Sequence, residues 1–133
     1  MFIGDGLIRC FDQRILLVDD EPINREIILG LLDGSGLVID QAKNGAEAVE
    51  LAKTREYGLI LMDIQMPIMC GINATLEIRG IPGLESLPIL ALTANASEEA
   101  KMQCLDAGMD DYLTKPVMPD RLYAAVMKWL PRE

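Results

Sequence analysis

Short, wholly apolar runs recur along this chain, and between them the apolar residues change period. Ile-Leu-Leu-Val at 15–18 has no polar residue at alternate positions, as expected for a strand covered on both faces. The next segment places Ile23, Ile27, Ile28, Leu31 and Leu32 on one helical stripe and ends at Gly34 and Gly36. The cycle then repeats. Strand candidates lie at Val38–Ala42, Leu59–Met62, Pro88–Leu92 and Tyr112–Thr114. Asn44-Gly45 opens a second helix with Ala48, Val49 and Ala52 inward, and Ile72–Arg79 forms a third before the Gly80–Gly83 turn. Ser97 caps a fourth helix that runs to Ala107 and stops at Gly108; the fifth places Leu122, Val126, Trp129 and Leu130 on one face. Apolar strands alternating with helices leave one economical solution, a parallel sheet between two helical layers. The expectation is a doubly wound α/β domain of five parallel strands and five helices.

Residues 1–13 do not share this period and read as a linker, a leftover of expression or an arm; the domain is expected over 14–133. At 133 residues the chain suits one domain with an adequate core. Its net charge of -9 argues against nucleic acid and against docking by charge on an anionic membrane. No segment approaches the roughly 18 uninterrupted apolar residues of a membrane helix, and the start lacks the basic and apolar regions of a signal peptide. The three cysteines, Cys10, Cys70 and Cys104, are odd in number and far apart, which disfavours a disulfide scaffold or a CxxC zinc site and fits a reducing cytoplasm. The chain has no histidine, so Ser-His-Asp and Cys-His catalysis are excluded, as is phosphorylation of a histidine of its own.

The residues just after each apolar run are the informative ones, because open parallel sheets bind ligands at the carboxyl ends of their strands. Strand one delivers Asp19-Asp20-Glu21, strand three Asp63, strand four Thr93 and strand five Lys115. A lone buried carboxylate at a strand end costs several kcal/mol, on the order of the penalty for desolvating any unpaired charge. Asp19, Asp20 and Asp63 cannot all stay ionised side by side without raised pKa values or a cation, and hard oxygens in a small cluster suit Mg²⁺. Lys115 and the Thr93 hydroxyl would sit opposite, ready to hold the oxygens of an incoming anion. Asp-Asp-Glu alone is common as a solvated turn, Asp63 alone as a strand end, and Lys115 alone as a surface charge. Their joint occurrence at four strand ends favours a carboxylate nucleophile for phosphoryl transfer.

Val-Asp-Asp-Glu-Pro, Leu-Met-Asp-Ile-Gln-Met-Pro-Ile-Met-Cys-Gly, Ala-Leu-Thr-Ala-Asn-Ala and Asp-Tyr-Leu-Thr-Lys-Pro, in this order over about residues 14–130, resemble the receiver domains of two-component response regulators. The words Ala-Asn-Ala and Ala-Gly-Met-Asp-Asp-Tyr look most like receivers of hybrid sensor histidine kinases, although free-standing regulators also carry them. The resemblance implies a flavodoxin-like sandwich in which Asp63 accepts a phosphoryl group from a phosphohistidine on a histidine kinase or histidine phosphotransfer domain. It implies Mg²⁺ bound by Asp20, Asp63 and the Gln65 backbone carbonyl, with Asp19 acting largely through water. Thr93 and Lys115 would hold phosphoryl oxygens, and the small Ala94 would leave access to the acceptor. Gln65 and Asn95 would tune hydrolysis of the acyl phosphate, and Tyr112 would be the aromatic that switches with Thr93. A cytoplasmic location, either free or as the cytoplasmic part of a membrane-bound sensor kinase, and a phosphorylation-dependent homodimer are compatible with it. One departure stands at Cys70, where the family usually has an acidic residue; the implied loss is a helix cap. Cys104 and methionines such as Met62 and Met127 read as packing residues.

Other functions on this fold fare worse. A flavodoxin-like cofactor site needs bare amides or hydroxyls after strand one, where this chain has Asp-Asp-Glu. No GxxxxGK[ST] loop is present, and Gly34-Ser35-Gly36 follows a helix where a dinucleotide fingerprint would follow a strand. A hydrolase of the haloacid dehalogenase kind wants a second Asp two positions after the nucleophile, and Gln65 stands there. The remaining rival is a phosphorylation-inert receiver serving as a protein-binding scaffold.

Overall fold

The computed structural model describes residues 13–66, 68–94 and 97–130. The arm expected over 1–13 therefore lies, except for Gln13, outside the described residues.

Ten elements alternate as expected: β1 (Arg14–Val18), α1 (Pro22–Leu31), β2 (Val38–Ala42), α2 (Gly45–Thr54), β3 (Leu59–Asp63), α3 (Gly71–Arg79), β4 (Ile89–Thr93), α4 (Glu98–Ala107), β5 (Asp111–Thr114) and α5 (Pro119–Trp129). All strand pairs are parallel, in the order β2-β1-β3-β4-β5. Every residue of β3 and β4 is buried, which is why those strands read as unbroken apolar runs. Alternate residues serve opposite layers. Ile15, Leu17, Leu59, Leu61, Leu90 and Leu92 pack with α1 and α5. Leu16, Val18, Ile60, Met62, Ile89 and Ala91 pack with α2, α3 and α4.

The helix ends follow from local chemistry. Asn44 Oδ1 accepts from the Glu47 N–H at 2.8 Å while Glu47 Oε1 accepts from the Lys43 N–H, a reciprocal cap on α2. Ser97 Oγ accepts from the Ala100 N–H at the start of α4, and Gly108, with φ 106°, closes its other end. Cys70 occupies the N-cap of α3 and makes no side-chain cap hydrogen bond there. Cys104 is buried, as expected of a packing residue.

Helix α1 departs from its expected stripe. Ile28 and Leu32 are buried and Leu31 is half-buried, but Ile23 and Ile27 are 70% and 49% exposed. From Ile23 to Leu32 the five residues span about half the helix circumference, more than one side of a sheet can cover. Among the described residues no helix is long and apolar enough to cross a membrane.

The chain leaves β1 for β2 on one side and returns to β3 on the other, so direction reverses between β1 and β3. That reversal opens a crevice at the carboxyl ends of these strands.

Candidate functional site

Asp19 and Asp20 follow β1 directly, and Asp63 is the last residue of β3, so the crevice between those strands collects all three. One carboxylate oxygen from each lies within 4.8 Å of the other two. Asp19 is fully buried and Asp63 is 4% exposed, while Asp20 is partly open to solvent.

The loops are pinned so that these side chains point together. The Asp19 N–H continues the sheet by donating to the Ala42 carbonyl at 3.1 Å, and Asp19 Oδ1 accepts from the Glu21 N–H at 3.0 Å. On β3 the Ile64 N–H donates to the Leu92 carbonyl, and the Gly71 N–H returns to the Ile64 carbonyl at 2.9 Å. A Cβ at Gly71 would run into the Asp63 backbone carbonyl, so α3 can start this close to the end of β3 only with glycine there.

Lys115 supplies the counter-charge. Its backbone N–H donates to the Thr93 carbonyl at 2.8 Å, and the peptide bond joining it to Pro116 is cis. Its Nζ stands 3.1 Å from Asp19 Oδ2 and 3.2 Å from Asp63 Oδ1. The ammonium thus bridges two carboxylates, a tighter engagement than the opposing position read from the sequence. Burial alone would lower the Lys115 pKa, but Asp19 and Asp63 outweigh it and hold it above the ordinary value. Asp63 moves the other way from a usual paired carboxylate. Burial, and then repulsion from Asp19, push its pKa up to about 6 against the pull of Lys115 and the Gln65 N–H. Its Oδ1 is engaged by Lys115 and, at 3.4 Å, by that N–H; among the described residues nothing hydrogen-bonds Oδ2.

The other expected residues fall around the same cleft. Thr93 ends β4 and is buried beside it; Ala94 and Gln65 are exposed on its rim. Asn95 lies outside the described residues. Tyr112, on β5, is half-buried against the α2–α4 layer with the Lys101 ammonium 4.8 Å from its ring centroid. The cleft encloses about 270 Å³, small enough for a phosphoryl group and its waters. Two roomier grooves, of about 530 and 560 Å³, lie along β5–α5 and beneath α2 and α3; neither contains a buried carboxylate or lysine. Glu21, which the sequence already places at this edge without a role, also lines the cleft, as does Asn24, which sequence reasoning missed. The only signal for Asn24 in the sequence is proximity to the Asp19-Asp20 pair.

The donor set suits a hard divalent cation. It offers carboxylate oxygens without histidine or thiolate, which favours Mg²⁺ over zinc or copper. Asp19 Oδ2 is buried and, although near the Lys115 charge, receives no hydrogen bond of acceptable geometry. A buried, unsatisfied anionic oxygen facing two further carboxylates fits a cation-binding role.

Comparison with known proteins agrees with this geometry. Residues 15–127 match the family model of the response regulator receiver domain. The signal transduction histidine-protein kinase BarA of Escherichia coli K12 is 40% identical over 119 residues, covering 90% of this chain. The match takes up 13% of that relative, so the chain spans a small part of its length. Among solved structures, the receiver domain of the Pseudomonas aeruginosa sensor histidine kinase PA1611, with a magnesium ion in its active-site cleft, is 40% identical. It superposes with a TM-score of 0.82 over 88% of this chain and 96% of that one. The receiver domain of Saccharomyces cerevisiae Ssk1, crystallised with the histidine phosphotransfer protein Ypd1, is 35% identical, with a TM-score of 0.83 over 88% of each chain. With two carboxylates after β1, a third ending β3 and a lysine after β5, in a sheet of order 2-1-3-4-5, this chain belongs to the response regulator receiver domain family.

Proposed function

We propose that this domain, residues 14–133 with 1–13 ahead of it, takes a phosphoryl group from a partner's phosphohistidine onto Asp63 in a Mg²⁺-dependent reaction. The observation that carries this reading is the convergence of Asp19, Asp20, Asp63 and Lys115 on one small cleft from separate strand ends.

Asp20, Asp63 and the Gln65 carbonyl would hold the ion, with Asp19 assisting through water. Bound there, Mg²⁺ would offset the carboxylate charge and the charge of the incoming phosphoryl oxygens. The remaining work falls to the chain itself. An Asp63 oxygen attacks phosphorus in line with the phosphorus–nitrogen bond. The electron pair of that bond returns to the imidazole nitrogen, and an acyl phosphate forms. Lys115, already 3.2 Å from Asp63, stays with the charge as it spreads over the phosphoryl oxygens. Thr93 donates to one of these oxygens, Ala94 leaves the approach clear, and Gln65 and Asn95 govern how readily water reaches the product. Movement of Thr93 toward the phosphoryl group makes room for Tyr112 to turn inward, biasing the α4–β5–α5 surface between two states.

The donor is a histidine kinase or a histidine phosphotransfer domain, a reading supported by the lack of histidine in these 133 residues and by the precedent of Ssk1's receiver with Ypd1. We place the domain in the cytoplasm, as part of a hybrid kinase, with phosphorylation-dependent pairing of two copies as one output. No feature of the cleft favours an inert scaffold. The test is transfer from an isotopically phosphorylated histidine phosphotransfer protein. Label should reach the wild-type chain only with Mg²⁺ and should not reach Asp63→Asn. Failure of the wild type, in an assay where an established receiver accepts label, would overturn the reading.

A further inference from the structure

The β1–α1 loop carries two of the three carboxylates, and one side chain outside the cleft is hydrogen-bonded to its backbone. Arg25, near the start of α1, donates from Nη1 to the Asp19 backbone carbonyl at 2.7 Å and from Nε to Gln41 Oε1 on β2 at 3.1 Å. It does not line the cleft. We propose that Arg25 is a positioning residue for the acidic cluster, fixing the peptide between Asp19 and Asp20 so that both carboxylates face Asp63; this rests on the receiver reading of the cleft.

The carbonyl of Asp19 belongs to the planar peptide that leads into Asp20, so its direction sets where the Asp20 Cα–Cβ bond points. The N–H side of Asp19 is already fixed by Ala42, and its Oδ1 by Glu21. The Arg25 contact fixes the carbonyl side as well. A guanidinium presents N–H groups in two fixed directions from one plane and can therefore tie the carbonyl to the Gln41 amide; an ammonium offers a point charge without that fork. Gln41 lies on the edge strand, so the tether runs from the sheet, through Arg25, to the loop. Arg25 also adds positive charge behind the cluster without occupying the space that Lys115 and a ligand share.

Arg25→Met keeps the stem and removes the donors. Mg²⁺ binding, measured by titration calorimetry, should weaken roughly tenfold or more, as when other groups that orient metal-binding side chains are removed. The maximal rate of phosphorylation at saturating Mg²⁺ should fall by less than the Mg²⁺ constant rises. Arg25→Lys should recover part of the affinity, and Gln41→Leu, which leaves the guanidinium but frees it from β2, should weaken Mg²⁺ by a smaller factor. If Arg25→Met does not fold, Gln41→Leu decides. An Mg²⁺ constant indistinguishable from wild type in the folded variant overturns the inference while leaving the receiver reading intact. A wild-type chain that binds no Mg²⁺ overturns both.

Discussion

Substituting Asp63 by Asn should make the metal-free domain more stable, although it removes the proposed acceptor. In the metal-free fold Asp63 is held at a pKa of about 6, against 3.8 for an ordinary aspartate. Its folded pKa lies above its unfolded one, so the folded state binds the proton more tightly. Stability from this group is therefore full below the unfolded value and is lost as pH rises toward and past about 6. Two pKa units correspond to about 3 kcal/mol, an upper figure for a carboxylate so close to Asp19 and Lys115. Asn has the same shape and no charge, and Lys115 keeps Asp19 at 3.1 Å. In EDTA at about pH 8, Asp63→Asn should thus raise the unfolding free energy by up to about 3 kcal/mol, a shift in Tm on the order of 10 °C. Near pH 4 the difference should approach zero, roughly where the ordinary aspartate protonates. Urea unfolding of both proteins across this range is the assay. Groups common to both cancel, including Asp40. Burial raises its pKa, but the Tyr57 hydroxyl and the Arg14 and Arg55 guanidiniums outweigh that and lower it; its stabilisation is lost as pH falls. Excess Mg²⁺ should close the gap, adding about 2.7 kcal/mol to the wild type at roughly a hundred times its Kd, and reverse the ranking at roughly a thousand times, where it adds about 4.1 kcal/mol. A variant less stable than wild type at alkaline pH without metal, or a difference independent of pH, would refute the electrostatic reasoning.

Three further substitutions probe the supports of the cleft. Lys115→Ala leaves Asp19 and Asp63 facing each other without counter-charge and should destabilise by about 3 kcal/mol, the lower end for breaking a buried pair; denaturant midpoints and the phosphorylation rate should both fall. Gly71→Ala forces a methyl toward the Asp63 carbonyl and should cost about 1–3 kcal/mol with weaker Mg²⁺ binding, measured by unfolding and titration calorimetry. Cys70→Ser supplies the missing cap on α3 and should raise stability by about 0.5–1 kcal/mol in thermal unfolding without slowing phosphorylation.

The alternation of elements was legible because each parallel strand is covered on both faces and so appears as an uninterrupted apolar word. The caps at Asn44 and Ser97 and the stop at Gly108 were legible because their chemistry is local. Boundaries moved by a residue: β3 includes Asp63, β5 begins at Asp111 and α3 at Gly71. Periodicity failed on α1, where it records which residues are apolar and not how wide a face the sheet covers; Ile23 and Ile27 remain outside. It also could not announce the left-handed backbone of Ile68, with φ 71°, which the loop between β3 and α3 imposes on a residue ill suited to it. The site residues were legible as strand endings, but their coupling was not. The bridge by Lys115 from Asp19 to Asp63, and the tether by Arg25 from Gln41 to the Asp19 carbonyl, join residues separated in the chain and carry no local pattern.

The most direct measurement is the position of a phosphoryl group after incubation with acetyl phosphate. With Mg²⁺ the intact mass should rise by one phosphoryl group, borohydride reduction and peptide mapping should locate it at Asp63, and EDTA or Asp63→Asn should abolish it. An adduct at another residue, or one that forms equally well without the ion, would contradict the assignment of this cleft.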